Sequence, residues 1–404
     1  MANSLLTPNL IAKEALLQLE NSMVLGNLVH RDFRDDFVKA GDTVSIRRPV
    51  KFLAQSGATL VKQDVEEGNV DIVVDQRRHV GWEFASRDLT LAIDDYSERY
   101  IKPAMITLAN EIDLSLAGLY RDVWNLTGTP GVTPANFADI GAAGKRLDQM
   151  AVPRAERAAV FDPEAAWALA DGLKSVMAQD KALGAYEEAR IGRFAAFDTY
   201  GDQNIRSHAV GALGGAPLVN GAGQSVTWAT ARSSNSQTLA TDGWTPSAAV
   251  LKAGDVFTIA GVQAVNPVSK DVLPFLQQFV VKADAIANGT GQAVLTISPA
   301  IVVAGPYRTV SAAPADNAAI AVMTGLGGSL HPQNLAFHKN AFALVTVPLD
   351  MPDGAGFANR VEYKGLSVRV VKDYDIAADT EIIRLDILYG VKAVYPDLAC
   401  RITG

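Results

Sequence analysis

Five histidines, one cysteine and two pairs of adjacent aspartates are the residues of this chain whose types could carry chemistry, and their placement argues against each reaction they could support. His30, His79, His208, His331 and His338 fall in different segments, and no HExxH, CxxC or histidine–carboxylate cluster has metal-ligand spacing. Cys400 lies in the strand-like run Leu398-Ala399-Cys400-Arg401-Ile402, where a buried structural thiol fits better than a nucleophile. Asp35 and Asp36 are neighbours whose side chains diverge, which reads as a solvated turn. Asp94 and Asp95 precede a helical pattern and read as caps rather than as an acid/base pair. No Gly-x-Ser-x-Gly elbow and no Gly-Lys-Ser/Thr phosphate loop occurs, and the glycine-rich Gly325 to Gly328 lacks a following lysine. No catalytic, cofactor-binding or metal-binding residue is therefore assigned, no cofactor is expected, and the chain reads as a non-enzyme.

What remains is charge on an extended excursion. Thr43-Val44-Ser45-Ile46-Arg47 and Val70 to Asp75 alternate as strands do, and Val80 to Phe84 adds a short run. Arg47 and Arg48 lie on the first strand, Lys62, Asp64, Glu66 and Glu67 at a polar tip, and Arg77, Arg78 and His79 on the last strand. One reading is a solvated face. The sharper one is an arm that crosses onto a neighbouring copy, its charges selecting the register there, since such pairs give specificity more than affinity. A hairpin of this kind is marginal alone and must lean on this chain or another.

The elements around it are legible from pattern. Thr7 and Pro8 open an amphipathic helix reaching toward His30, with Ile11, Ala15, Leu19 and Met23 on one face. Pro103 separates a short helix from a long one whose apolar stripe is Met105, Leu108, Ile112, Leu116, Leu119 and Val123, stopped at Gly128-Thr129-Pro130-Gly131. A second helical region, Pro134 to Ala189, carries Thr133-Pro134 as its start and Phe161-Asp162-Pro163 as the start of a further helix. From Gly211 to Leu330 the charged residues are only Arg232, Asp242, Lys252, Asp255, Lys270, Asp271, Lys282, Asp284, Arg308 and Asp316. Short alternating runs with Gly-Asp and Asn-Gly turns fill this stretch, the signature of an inserted β-barrel or β-sandwich over 214–328. Gly211, Gly214 and Gly215 on one side and Gly325, Gly327 and Gly328 on the other read as its hinges. Strands return at 341–347, 366–371 and 382–391, decorated by Tyr363, Tyr374, Tyr389 and Tyr395, an aromatic set that reads as core or interface.

Composition bounds the rest. The 404 residues are 49% hydrophobic and 20% charged, with a formal net charge of −8 and one cysteine. That is long enough for two or three domains at roughly 100–200 residues each. It excludes a disulfide framework and a multi-cysteine metal site, and it disfavours tight nucleic-acid binding, which needs a dense basic face. No secretory signal and no apolar run of membrane-spanning length is read, so no membrane partner is expected, and Asn125 and Asn288 are chance Asn-x-Thr triplets.

The order of these segments resembles the major capsid protein of tailed double-stranded-DNA phages, the Hong Kong 97-type fold, and within it the podovirus coat-protein branch with an inserted β-barrel. Three stretches carry the likeness. They are Lys252-Ala253-Gly254-Asp255-Val256-Phe257-Thr258-Ile259-Ala260-Gly261-Val262 with Gln278-Phe279-Val280-Val281 and Leu295-Thr296-Ile297-Ser298-Pro299; Arg190-Ile191-Gly192-Arg193 with Gly201 and His208; and Leu388-Tyr389-Gly390-Val391 with Tyr395-Pro396. The resemblance implies an α+β fold. Its parts are an N-terminal arm at 1–40, an extended loop at 41–88, a peripheral domain at 89–130 and 361–404 with a spine helix at 103–124, and an axial domain at 131–213 and 329–360. It also implies self-assembly into hexamers and pentamers of an icosahedral head, first as a procapsid and then as a mature shell. A scaffolding protein, a portal protein and weakly held double-stranded DNA are the implied partners, with assembly in the bacterial host cytoplasm and residence in the virion. Some members crosslink through a loop lysine; Lys62 is a loop lysine, and no acceptor matches by motif, so noncovalent contacts are implied. The alternative from another class is a surface-binding module whose inserted β domain recognises a sugar or protein.

Overall fold

In a computed structural model, the chain is described over residues 8–31, 43–57, 60, 62–63, 67–85, 97–173, 192–352, 354, 356–363, 365–376 and 380–404. It divides into two units, one of Met1–Ser45, Asp71–Leu116 and Phe342–Lys392, the other of Ile46–Val70, Ala117–Ala341 and Ala393–Gly404. The second unit thus gathers the inserted β domain, the middle of the arm and the last strand.

In the first unit, the helix Pro8–Ser22 starts on the proline that needs no intrahelical partner, and its i, i+4 stripe of Ile11, Ala15 and Leu19 is buried. It packs on the strands Phe357–Tyr363 and Leu366–Asp375. The helix Lys102–Ala117 carries Pro103 in its first turn, follows a π-turn at Ser97–Ile101, and buries Met105, Leu108, Ile112 and Leu116. The next residues, Gly118–Asp122, are a 3-10 turn, so the expected spine of 103–124 is α-helical only to Ala117. Asp113 accepts from the backbone N–H of Val24 (2.7 Å) and Gly26 (2.8 Å), satisfying the otherwise open start of the short helix Leu25–Leu28. The sheet of this unit is five-stranded, with Phe342–Thr346, Thr380–Ala393, Leu366–Asp375 and Phe357–Tyr363 in order, the last three antiparallel.

One placement departs from the sequence reading. Gln76–Ala85, taken there as the last strand of the arm, pairs along its length with Thr380–Ala393, from Thr380 opposite Ala85 to Tyr389 opposite Gln76. The fourteen-residue partner strand buries Ile383, Leu385, Ile387, Leu388 and Tyr389 and needs neighbours on both edges. Only Thr43–Arg47 with Asn69–Val73 forms the hairpin.

The second unit holds a seven-stranded mixed sheet. Leu126–Gly128, Ala399–Thr403, Leu330–His338, Arg157–Phe161, Phe197–Gly201 and Arg193–Phe194 lie in order, with Ser207–Ala209 also paired to Leu330–His338. Helices Phe137–Gln149 and Pro163–Leu173 contribute Ile140, Leu147 and Leu169 to a core shared with Phe161, Phe197, Cys400 and Ile402. The first helix begins three residues after the expected Thr133-Pro134 start, because Asn136 and Asp139 form a reciprocal capping box. The strand Arg157–Phe161 interrupts what reads as a continuous helical region. All five of its residues are buried, so it has no alternation to announce it.

Residues 215–322 build the second sheet of this unit: Ile320–Val322, Val256–Val265, Val272–Val281, Ala293–Ser298, Gln237–Trp244 and Gly215–Val219, with antiparallel neighbours throughout. Its two edges meet, since Val219 N–H donates to Ala318 O at 3.0 Å and Asn317 N–H to Val219 O at 2.9 Å, beside a Leu218–Ala319 bridge. The sheet is therefore a barrel. Leu239, Phe257, Ile259, Phe279, Leu295 and Ile297 fill it, and Trp244 satisfies its indole on Thr241 Oγ1 at 2.8 Å.

Candidate functional site

Five of the charges assigned to contact between copies, Arg47, Arg48, Glu67, Arg77 and Arg78, have partners in their own chain. Arg47, at the end of its strand, pairs with Glu67 at 3.3 Å, both exposed. Arg48 is half-buried; its backbone N–H donates to Gly68 O at 2.7 Å and its Nη2 to Val394 O at 3.4 Å. Burial pushes its guanidinium below the ordinary arginine value, against the pull of Asp397 and Tyr395. Lys62 is exposed, while Asp64 and Glu66 lie outside the described residues. Arg78 pairs with Glu111 at 3.2 Å, and Arg77 reaches the buried Asp386 at 3.4 Å. The last two therefore stand on the sheet of the first unit, not on the arm. A strand can announce its alternation locally, but which edge it joins is a long-range choice.

The arm itself rests on the barrel. Lys51 N–H donates to Tyr307 Oη at 3.2 Å, and the side chain of Gln63 bridges both backbone groups of Leu53 at 2.9 and 2.6 Å. Gly68 passes so close to Arg232 that an added Cβ would stand 2.6 Å from its carbonyl oxygen.

Among the six glycines read as hinges, which flank the crossing into the barrel, five lie in close approach to other atoms and Gly328 has open space. The strands entering and leaving the barrel are bonded side by side, Val210 N–H to Ser329 O at 2.9 Å and Gly328 N–H to Gly211 O at 3.1 Å. Gly214, Gly215, Gly325 and Gly328 have positive φ, whereas Gly211 and Gly327 do not. At those two, glycine answers close approach rather than flexibility: a Cβ on Gly211 would meet Val250 O at 2.5 Å, and one on Gly327 would meet Ala212 O at 2.3 Å. Gly327→Ala is accordingly expected to cost about 1–3 kcal/mol, read as a lowered urea midpoint of the purified monomer. An unchanged midpoint would show the crossing to be loose.

Sequence reasoning missed the polar cluster that locks this crossing. Asp255, fully buried, accepts from His208 Nε2 (2.8 Å), Thr324 Oγ1 (2.9 Å) and the backbone N–H groups of Gly211 (3.0 Å) and Lys252 (2.7 Å). Burial alone would raise its carboxyl pKa, but the His208, Lys252 and Gly211 hydrogen bonds hold it below the ordinary value. Tyr120 Oη meets His208 Nδ1 at 3.0 Å, and the buried Arg401 donates to Gly254 O at 2.9 Å. Burial lowers the Arg401 guanidinium to about 10, and it raises the Cys400 thiol to about 11, which leaves that thiol protonated and inert as the sequence implied. Gln278 closes a second tie, accepting from Leu126 N–H (2.8 Å) and donating to Leu126 O (2.9 Å), while Arg146 stacks on Phe275 at 3.8 Å. The signal that could have found the cluster was Asp255 itself, a lone acid inside an otherwise apolar strand turn.

The family model for P22 coat protein (gene protein 5) matches residues 1–404. The chain belongs to the P22 coat protein family. It is a major capsid protein, which self-assembles to form the icosahedral phage head and resides in the virion shell, and its family is a structural one. Among solved structures it is similar to a Mycobacterium phage Che8 chain at 15% identity and TM-score 0.46, covering 94% of this chain and 90% of that one. The capsid structure of cyanophage P-SCSP1u gives 13% identity and TM-score 0.45, covering 94% and 87%. The CUS-3 coat protein I-domain gives 31% identity and TM-score 0.21 over 28% of this chain and 100% of that one. Comparison with curated proteins gave no match.

Proposed function

We propose that the coat protein closes its shell by laying the arm of residues 46–70 on a neighbouring copy within hexamers and pentamers. Its further partners are a scaffolding protein, a portal protein and packaged double-stranded DNA, and it assembles in the bacterial host cytoplasm. The observation supporting the arm's role is its exposed apolar surface: Phe52 is 59% and Leu60 82% exposed, on an extended segment that also carries the exposed Lys62. Large apolar side chains left exposed on a projecting arm suit contacts between proteins. Repetition of such modest contacts around a closed shell makes them collectively strong. The net charge of −8 suits a container whose wall must not grip the packaged phosphates.

The test must avoid residues that hold the fold, so Arg77, which faces the buried Asp386, is left alone. Phe52→Ser with Leu60→Ser, expressed with the scaffolding protein, is expected to give a chain with the wild-type urea midpoint that forms no closed particles in negative-stain micrographs. Shells of normal number and size from that double variant would overturn the arm's role.

A further inference from the structure

A cavity of about 320 Å3 opens where the arm meets the barrel inside the second unit, and its walls are cationic and aromatic. Arg48, Lys51 and Arg308 line it together with Trp124, Trp228 and Tyr307. The Trp228 and Tyr307 rings are stacked face to face, 4.2 Å between centroids and 4° from parallel, so each covers one face of the other and only the outer faces are left to stack on. The volume stands at the lower end of small-molecule sites, which run from about 300 to 1,000 Å3.

The charges do not balance. Asp397 is the one acid among the described lining residues, and it stands with Arg48. Among the described residues Lys51 and Arg308 have no carboxylate partner, and the Arg308 guanidinium is turned onto the carbonyl oxygens of Val310 (2.9 Å) and Ser311 (2.8 Å), which do not neutralise it. Lys270 stands within electrostatic reach of both; its Nζ is buried with no hydrogen-bond partner among the described residues. Burial, then the like charges of Lys51 and Arg308, depress its ammonium to about 8. The Nε1 groups of Trp124 and Trp228 and the Nε of Arg48 are likewise buried donors without acceptors. Two lining cations without a carboxylate, Lys51 and Arg308, beside aromatic walls suit an acceptor-rich anion on a planar body. A phosphomonoester, carrying about −1.5 to −2 charges, matches two cations better than a single carboxylate does, and a base matches the rings, since stacking is worth about 1–3 kcal/mol per base.

We propose that this cavity binds a nucleoside monophosphate, its base on the aromatic pair and its phosphate toward Lys51 and Arg308. The nucleotide is either free or the 5′-phosphorylated end of a strand. Titration calorimetry of the purified full-length chain with adenosine 5′-monophosphate, adenosine and inorganic phosphate separates the parts. The monophosphate should bind at one site per chain, with adenosine and phosphate each weaker by about tenfold or more, the worth of one charge-assisted hydrogen bond. Lys51→Ala, which keeps the backbone bond to Tyr307, should weaken the monophosphate about tenfold, and Lys145→Ala, on an exposed helix face, should not. Displacement of the monophosphate by a 5′-phosphorylated oligothymidylate supports the site with a strand end as its source; no displacement, with the monophosphate bound, supports it with the free nucleotide. No binding of the monophosphate, equal binding by Lys51→Ala and Arg308→Ala, or phosphate binding as tightly as the monophosphate would overturn the proposal.

Discussion

Asp386→Ala is expected to destabilise the first unit by about 3–5 kcal/mol, the cost of stripping one partner from a buried ion cluster. Asp386 is fully buried at the centre of the five-stranded sheet and accepts from Arg369 Nη2 at 2.7 Å, Arg384 Nε at 2.9 Å and Arg77 Nη2 at 3.4 Å. Arg384 and Arg77 are exposed enough to turn toward water, but Arg369 is not, and its Nε already lacks a partner. The loss is therefore mainly an uncompensated Arg369 charge. Urea unfolding followed by amide exchange in residues 366–375 and 380–393 reads it, and wild-type protection in the variant would refute it.

The same carboxylate sets an acid limit. Burial would raise its pKa, but hydrogen bonds from Arg369 and Arg384 hold it below the ordinary carboxylate value. A carboxylate whose folded pKa is depressed contributes fully above its unfolded value, about 3.9, and loses that contribution as pH falls through the folded value. The wild-type unit should weaken on acidification below about pH 4, and Asp386→Asn should flatten that limb. Identical acid limbs would assign the dependence to other groups.

Asp255→Ala carries the second large effect. Four donors converge on this carboxylate, and its loss strands His208, Thr324 and two backbone N–H groups in a buried crossing. We expect about 3–5 kcal/mol, from several unsatisfied buried donors at about 1–3 kcal/mol each, relieved in part by water. The barrel has its own closed ladder and core, so it should stay protected while residues 207–213 and 325–331 become open to exchange and proteolysis. Collapse of barrel protection along with the crossing would show that the insertion does not fold by itself. Because the Asp255 carboxyl is also held low, its contribution likewise disappears on acidification rather than at high pH.

The two predictions share an origin that pattern reading does not reach. Arg77, Arg369, Arg384 and Asp386 look like ordinary charges on alternating strands, and Asp255 like one residue of a Lys-Ala-Gly-Asp turn. Burial turned Asp386 and Asp255 into anchors, and burial is set by which strand pairs with which. Arg157–Phe161 was hidden for the related reason that a strand buried on both faces has no periodicity to distinguish it from helix.

From the sequence alone came the amphipathic first helix, the proline-marked long helix, the charge-poor β insertion and the order that identifies a capsid protein. These rest on local period, on turn residues and on composition, all of which act between near neighbours. Only the tertiary structure closed the insertion into a barrel, moved Gln76–Ala85 from the arm into a sheet, set Gly211 and Gly327 at a close crossing and brought Lys51 and Arg308 to one cavity. Each of those outcomes depends on contacts between residues far apart in the chain, where the choice of partner is made by the burial of whole faces and not by any residue's own preference.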